Sequence, residues 1–374
     1  MFEVYSLLNL TPDHAKGCLV WDQDGTCYLD LYGGHAVISV GHSHPHYIES
    51  LTKQLGKIGF YSNAVHIAPQ KELAQLLGTL SGYERYQLFL VNSGAEANEN
   101  AIKLASFYNG KKKVLAFSRA FHGRTSVAVA ATDNRKILAP VNETENVVFA
   151  DFNDEQGVIE AFKKHDFSSV IVEGVQGVGG VQIPSPSFLK TLEHLCKAHD
   201  ALLILDEVQS GYGRTGKFFA HQWAGIKPDI ISMAKGMGNG FPIGGILIAP
   251  KIKPQIGMLG TTFGGNYLAC AAAKAVLEIM EAEQLMTNAL EMGTYLVDRL
   301  SEVKGIKAVR AKGLMVGIEL HEPCASLRQI LIEKYHILTG NASEPHTLRV
   351  LPSLTITKPE IDQFITALIT ELND

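Results

Sequence analysis

Four short segments hold side chains that could do chemistry together. In Ile230-Ile231-Ser232-Met233-Ala234-Lys235-Gly236, a lysine follows an apolar run and precedes a glycine-rich stretch. A lysine so placed cannot easily reach bulk water. Burial disfavours the ammonium form, so the neutral amine becomes available as a nucleophile toward aldehydes; a lysine that snorkels to solvent is the competing reading. In Leu202-Leu203-Ile204-Leu205-Asp206-Glu207-Val208-Gln209, four apolar residues end in two adjacent acids. A carboxylate there could hold a metal, a ribose hydroxyl or a protonated ring nitrogen, or simply serve as a cap or ion-pair partner. In Val91-Asn92-Ser93-Gly94-Ala95-Glu96-Ala97, Ser93 can cap a helix that starts at Gly94, and Gly94 and Ala95 leave the first amides unobstructed. Bare amides at a helix N-terminus suit a phosphate, although a plain N-cap has the same pattern. Finally, Ala120-Phe121-His122-Gly123-Arg124-Thr125 offers an aromatic face and a guanidinium suited to a carboxylate, unless it is only a surface loop.

Each segment alone is ambiguous; together they describe one cofactor. A phosphate cradle, a carboxylate for a pyridinium nitrogen, a Schiff-base lysine and an aromatic stacking partner are the parts that pyridoxal phosphate requires. Two decoys compete. Gly211-Tyr212-Gly213-Arg214-Thr215-Gly216 matches the dinucleotide pattern GxGxxG. That pattern needs a strand immediately before it and a helix opening from it. Here Val208-Gln209-Ser210 intervene, the following residues carry Gly225 and Pro228 without an amphipathic run, and Phe218 stands where a nucleotide P-loop needs Ser or Thr. His42, His44 and His46 alternate, but Pro45 breaks the strand geometry that would align them on a metal. A turn leading into a helix fits better, and no metal site is expected.

The elements that must position these residues follow from the apolar pattern. Strands are predicted at Tyr86–Val91, Lys113–Phe117, Val147–Phe149, Ser169–Val172, Ala201–Leu205, Ile230–Met233 and Gly245–Ile248, with helices such as Ala95–Tyr108 and Ser187–His199 between them. Short continuous apolar strands alternating with helices imply an α/β fold, a mainly parallel seven-stranded sheet covered on both faces, with ligands outside the strands' carboxyl ends. Before it lie a hairpin turning at Asp24-Gly25 and helices near Pro45 to Lys57 and Pro69 to Leu80. After Tyr267 one long Ala/Leu/Glu-rich helical stretch reaches to about Val303. A strand near Leu314–Leu320, a helix near Leu327–Tyr335, a strand near Leu348–Leu351 and a helix after Pro359 complete the chain. The expected organisation is residues 1–60 joining residues 301–374 in a small α+β domain, with residues 61–300 forming the large cofactor domain.

Composition is that of an ordinary soluble globular chain able to bury a sizeable core. At about 150 residues per domain, 374 residues make two to three domains. Hydrophobic residues are 46% and charged residues 19%, and the net charge of −5 argues against a nucleic-acid partner. No run approaches the ~18 apolar residues of a membrane span. Five cysteines, an odd count without metal spacing, fit reduced thiols in the cytoplasm.

The segments NSGAEANENAIK, FHGRT, LDEVQSGYGRTG, MAKGMGNGFPIGG and TTFGGN resemble those of the class III aminotransferases, and within them the acetylornithine/succinylornithine branch. The resemblance runs from GCLVWDQDG to LRVLPSLTIT. It implies fold type I and a homodimer with active sites at the subunit interface. It further implies that Lys235 is the Schiff-base lysine, Asp206 the partner of the pyridine nitrogen, and Gln209 the neighbour of the cofactor's phenolic oxygen. Ser93, Gly94 and Ala95 would hold the phosphate, Phe121 and Val208 would sandwich the ring, and Thr262 would reach the phosphate bound to the other subunit. Thr261 would lie near substrate, Arg124 would take a substrate carboxylate, and Arg349 would receive the α-carboxylate of glutamate or 2-oxoglutarate. The implied reaction moves the δ-amine of an N2-acylornithine to 2-oxoglutarate, a step of arginine biosynthesis; free ornithine, 4-aminobutyrate or another ω-amine is the rival donor. Two departures bear on the substrate. Val178 stands where many relatives carry a glutamate that masks the arginine, so Arg349 is expected to stay exposed. His35 stands where relatives have an aliphatic residue or a tyrosine.

Overall fold

The computed structural model describes residues 2–372. Its centre is a seven-stranded sheet in the order Gln87–Val91, Gly244–Ile248, Ile230–Met233, Leu202–Asp206, Phe167–Glu173, Lys113–Phe117, Val147–Ala150. All seven predicted strands are present. Only Gly244–Ile248 runs antiparallel to its two neighbours, so the sheet is mixed but mostly parallel.

Strand alternation sorts the core. Leu202 and Ile204 face a cluster with Ala97, Ala101, Leu104 and Ala105 of the helix Gly94–Asn109. Leu203 and Leu205 face the other way, into a cluster with Val158, Phe162, Phe188 and Leu192 of the helices Glu155–Lys164 and Pro186–Ala198. Each layer buries apolar side chains on both faces, as a mostly parallel sheet requires. Asp206 continues the even-numbered series and therefore projects toward the helix Gly94–Asn109.

Two four-stranded sheets flank this centre. One joins Pro12–Lys16, Leu19–Asp22 and Cys27–Asp30 to Ile337–Leu338, bringing the two ends of the chain together. Pro12–Lys16 adds a strand to the hairpin that the pattern alone suggested. The other sheet is Ile306–Lys312, Met315–Leu320, Thr347–Val350 and Gly340–Asn341. In the third of these strands Leu348 and Val350 lie in the core with Val316 and Ile318, which leaves Arg349 on the opposite face.

The long helical stretch expected after Tyr267 is two helices, Tyr267–Ala282 and Leu285–Leu300. Gln284 between them has φ 51°, a left-handed conformation that no continuous helix accommodates. The first of the pair packs against the helices Pro45–Leu55 and Ala68–Ser81. Pro45 does open a helix, and His42, His44 and His46 each meet a carboxylate rather than a metal: Asp30 at 3.0 Å, Glu283 at 2.8 Å and Glu278 at 2.7 Å. Those acids lie close in space although two of them are far along the chain. No cluster of metal-ligating side chains occurs among the described residues.

Candidate active site

Three adjacent parallel strands end in register at Glu173, Asp206 and Ser232. The Asp206 and Ser232 side chains meet the start of the helix Gly94–Asn109 through Asn98. The Asn98 amide donates to Asp206 Oδ2 at 2.7 Å and to the His122 carbonyl at 2.7 Å, while its oxygen accepts from the Ser232 hydroxyl at 2.5 Å. Asp206 Oδ2 also meets His122 Nδ1 at 2.7 Å, and Oδ1 accepts from the Val208 amide at 3.0 Å. Asp206 is thus a nearly buried acid with hydrogen-bond partners at both oxygens. His122 Nε2 is buried without a partner among the described residues. Glu173 accepts from the Phe121 and Gly177 amides, both at 3.0 Å. Burial pushes its carboxyl well above the usual range, opposed by the nearby His122 and reinforced by Asp206.

These residues floor a cavity of about 390 Å³. Ser93, Gly94 and Ala95 form one wall, Phe121 and Arg124 another, and Val208, Gln209 and Lys235 a third. Ser93 caps the helix by accepting from the Glu96 amide at 3.2 Å, and Glu96 bonds back to the Asn92 amide at 2.8 Å. That arrangement leaves the Gly94 and Ala95 amides without acceptors among the described residues, at the positive end of a 16-residue helix. Glycine is required here: a Cβ on Gly94 would sit 2.6 Å from a Val208 methyl. Lys235 lies just beyond Met233, in a left-handed conformation at φ 49°. Burial lowers its pKa to about 8; Asp206 opposes that shift and Arg349 adds to it. Its amine has no hydrogen-bond partner among the described residues and faces the cavity.

Pyridoxal phosphate fits this donor set. Two unpartnered amides suit its phosphate, the Asp206 carboxylate suits a protonated ring nitrogen, and the partly neutral Lys235 amine suits its aldehyde. Phe121 and Val208 flank the space between them.

Not every sequence-designated residue joins the site. Arg349 is only 2% exposed and does not line the cavity, contrary to the expectation that losing the glutamate would leave it open. Its Nε donates to the Asn341 carbonyl at 2.6 Å and its Nη1 to Gln209 Oε1 at 3.3 Å. The neutral Gln209 amide covers it where no carboxylate does. Gln209 in turn donates to the His35 carbonyl at 3.0 Å. His35 is exposed and lies outside the cavity wall, and Val178 is in it. Thr261 and Thr262 are away from the cavity, Thr262 exposed. Arg124 is exposed at the cavity mouth. Residues 211–216, the dinucleotide decoy, form turns with no helix opening from them.

Sequence reading missed Glu173, Asn98, His122 and Ser232 as site residues. Glu173 carried a usable signal, because Val170-Ile171-Val172-Glu173 repeats the pattern of an apolar strand ending in an acid. Asn98 and Ser232 carried none, since only packing brings a helix and a strand 134 residues apart to one hydrogen bond.

A mixed, mostly parallel sheet with a lysine, an aspartate and a helix N-terminus converging at its carboxyl edge defines a pyridoxal-phosphate-dependent aminotransferase of fold type I. The class III aminotransferase family model matches residues 3–372, and the chain belongs to that family. It is similar to an acetylornithine aminotransferase from Archaeoglobus fulgidus, 40% identical over 368 residues, covering 98% of this chain and 96% of that one. An acetylornithine aminotransferase from Bacillus subtilis is also 40% identical, over 374 residues, with the same shares covered. Among solved structures, the ornithine aminotransferase of Toxoplasma gondii superposes with a TM-score of 0.92 at 28% identity, covering 98% of this chain and 91% of that one. The acetylornithine aminotransferase of Elizabethkingia anophelis superposes with a TM-score of 0.84 at 28% identity, covering 99% and 95%.

Proposed function

We propose that this aminotransferase moves the δ-amine of an N2-acylornithine, acetyl or succinyl, to 2-oxoglutarate, as a step in arginine biosynthesis in the cytoplasm. The single observation that carries the donor assignment is the 40% identity to acetylornithine aminotransferases across nearly the whole of both chains. The arrangement of Arg124 at the mouth and Arg349 behind Gln209 is compatible with it, because both substrates carry a carboxylate to be held at a fixed distance from the reacting atom.

Bound pyridoxal phosphate supplies the electron sink that makes the substrate's C–H bond acidic. The chain's own residues do the rest. The Gly94 and Ala95 amides hold the phosphate end. Asp206, oriented by Asn98 and His122, keeps a proton on the ring nitrogen. Phe121 and Val208 restrict the ring to one plane, and Phe121 is itself held by Glu173. With pyridoxal phosphate bound, the Lys235 amine would be the base that takes the proton from the substrate carbon and delivers it to the cofactor carbon. Its lowered pKa keeps a useful fraction neutral near pH 8. Arg124 would take the far carboxylate, which selects the end of the donor that reacts.

The same reading makes the enzyme a homodimer. Thr262 stands exposed in a segment whose Phe263 packs against Phe60, both rings reaching solvent, with Tyr61 and Ile256 also exposed. A second copy would cover these apolar side chains and receive Thr262 at its phosphate site.

Steady-state rates with acetylornithine, succinylornithine, free ornithine and 4-aminobutyrate, each against 2-oxoglutarate, test the assignment. An acylornithine should give the highest kcat/KM. Preference for free ornithine or 4-aminobutyrate would move the chain to the ω-amine rival.

A further inference from the structure

Arg349 has a cationic neighbour that its proposed role does not use. Arg328, in the first turn of the helix Ala325–Glu333, donates from Nε to the Thr339 carbonyl at 2.9 Å. The next residue, Gly340, pairs with Arg349 across the sheet. The Tyr32 ring covers Gly340 so closely that a Cβ there would lie 2.7 Å from two ring atoms and 3.4 Å from Arg349 Cβ. The Tyr32 hydroxyl meets His35 Nε2 at 2.9 Å. Two arginines, a phenol and an imidazole therefore surround the Thr339–Asn341 segment.

Among the described residues neither guanidinium touches a carboxylate. Arg328 has only the Thr339 carbonyl, and Arg349 has the Asn341 carbonyl and the Gln209 amide. Burial lowers the Arg349 pKa; Tyr32 and Glu173 oppose that without touching it, and Arg328 adds to it. His35 records the same field. Although it reaches solvent, partial burial and then the charges of Lys235, Arg349 and Arg328 push its pKa down to about 4. The Thr339 hydroxyl is buried with no partner among the described residues. Uncompensated like charges, one of them buried, cost free energy that an anion would remove.

We propose that Arg328 is a specificity-determining residue, forming with Arg349 a paired-guanidinium receptor for the substrate carboxylate nearest the reacting carbon, with the Gln209 amide as its neutral cover. The inference rests on the reading above that Arg349 receives a carboxylate. It adds a ligand class: 2-oxo acids and α-amino acids gain from the pair, whereas the amine end of an ω-amine gains nothing. Opening the receptor breaks one guanidinium–amide hydrogen bond rather than an ion pair. Anion binding then needs no charged side chain to swing away.

The test is calorimetric titration of the holoenzyme with glutarate, for the wild type, Arg328→Gln and Arg328→Lys. The Gln variant should bind glutarate about tenfold more weakly and with a flatter salt dependence. The Lys variant should keep most of the affinity. In the Gln variant the KM for 2-oxoglutarate should rise while kcat and the KM for the amine donor hold, and the His35 titration followed by NMR should move up. Unchanged glutarate affinity in the Gln variant would overturn the proposal. Equal losses in both variants would also overturn it, reducing Arg328 to a structural partner of Thr339. Glutarate binding is read without any amine donor, so failure of the acylornithine assignment shows separately, in the donor comparison.

Discussion

Lys235 owes its burial and its lowered pKa to where the strand Ile230–Met233 ends. Lys235→Ala should abolish both the visible absorbance of the bound cofactor and transamination while the far-ultraviolet circular dichroism stays close to wild type; retained multiple turnover would exclude the role. The lowered pKa also makes a stability prediction. A lysine near 8 in the folded chain and near 10.5 in the unfolded one binds fewer protons when folded, so it destabilises the fold below pH 8. That penalty fades as pH rises through the window from 8 to 10.5. In cofactor-free protein, Lys235→Met should therefore raise stability at pH 7 by up to about 3 kcal/mol, with the gain gone above pH 10.5. A gain independent of pH in urea titrations would assign it to packing instead. Val178 carries a third residue-scale prediction. Val178→Glu would put a carboxylate in the cavity wall, where it would repel the carboxylates of an entering substrate, and the KM for 2-oxoglutarate should rise about tenfold. An unchanged KM would remove Val178 from the specificity argument.

At the scale of elements, the site depends on how closely the helix Gly94–Asn109 approaches the loop after Leu202–Asp206. Gly94 is the contact point, since an added methyl would overlap Val208 at 2.6 Å. Gly94→Ala should force the helix N-terminus or Val208 aside, weakening cofactor binding about tenfold and costing about 1–3 kcal/mol of stability. Equilibrium dialysis of the cofactor and thermal unfolding would read both; normal affinity would show that the close approach is not part of the phosphate site. The same helix explains why Asp206, and not Glu207, is the site acid. Strand alternation aims Asp206 at Asn98, whereas Glu207 turns away to bond His221 at 2.7 Å and the Ser210 hydroxyl at 2.6 Å. Two adjacent acids in the sequence thus have separate duties. The pattern LDE marks the strand end but leaves the choice between them to the packing.

For the molecule as a whole, the exposed Phe60, Phe263 and Ile256 around Thr262 belong to the proposed subunit interface. Phe263→Asp should lower the dimer fraction in sedimentation velocity and weaken cofactor retention with it, because Thr262 would no longer reach the neighbouring phosphate. A variant that stays dimeric and keeps its cofactor would displace the interface from this patch. The two chain ends meet in one sheet, where Ile337–Leu338 pairs with Cys27–Asp30. Through that sheet the carbonyl of His35 and the guanidinium of Arg349, 314 positions apart, come to the same Gln209 side chain.

Residues whose place at the cavity is written into their own strand end were legible from the amino-acid order. An apolar run followed by lysine, an apolar run followed by aspartate, and a serine-capped helix opening on glycine each state a local geometry, and together they specify the cofactor. The parallel sheet followed from the same local periodicity. What joins distant segments was not legible. Neither the burial of Arg349 beneath Gln209 nor the Asn98 link between Asp206 and Ser232 leaves a trace in neighbouring residues. The break at Gln284 was equally hidden, because helix propensity is a sum over a window and one left-handed residue barely changes it. Local pattern encodes which side chains stand at the ends of strands; only the folded chain decides which of them touch, because contact depends on packing between elements far apart in sequence.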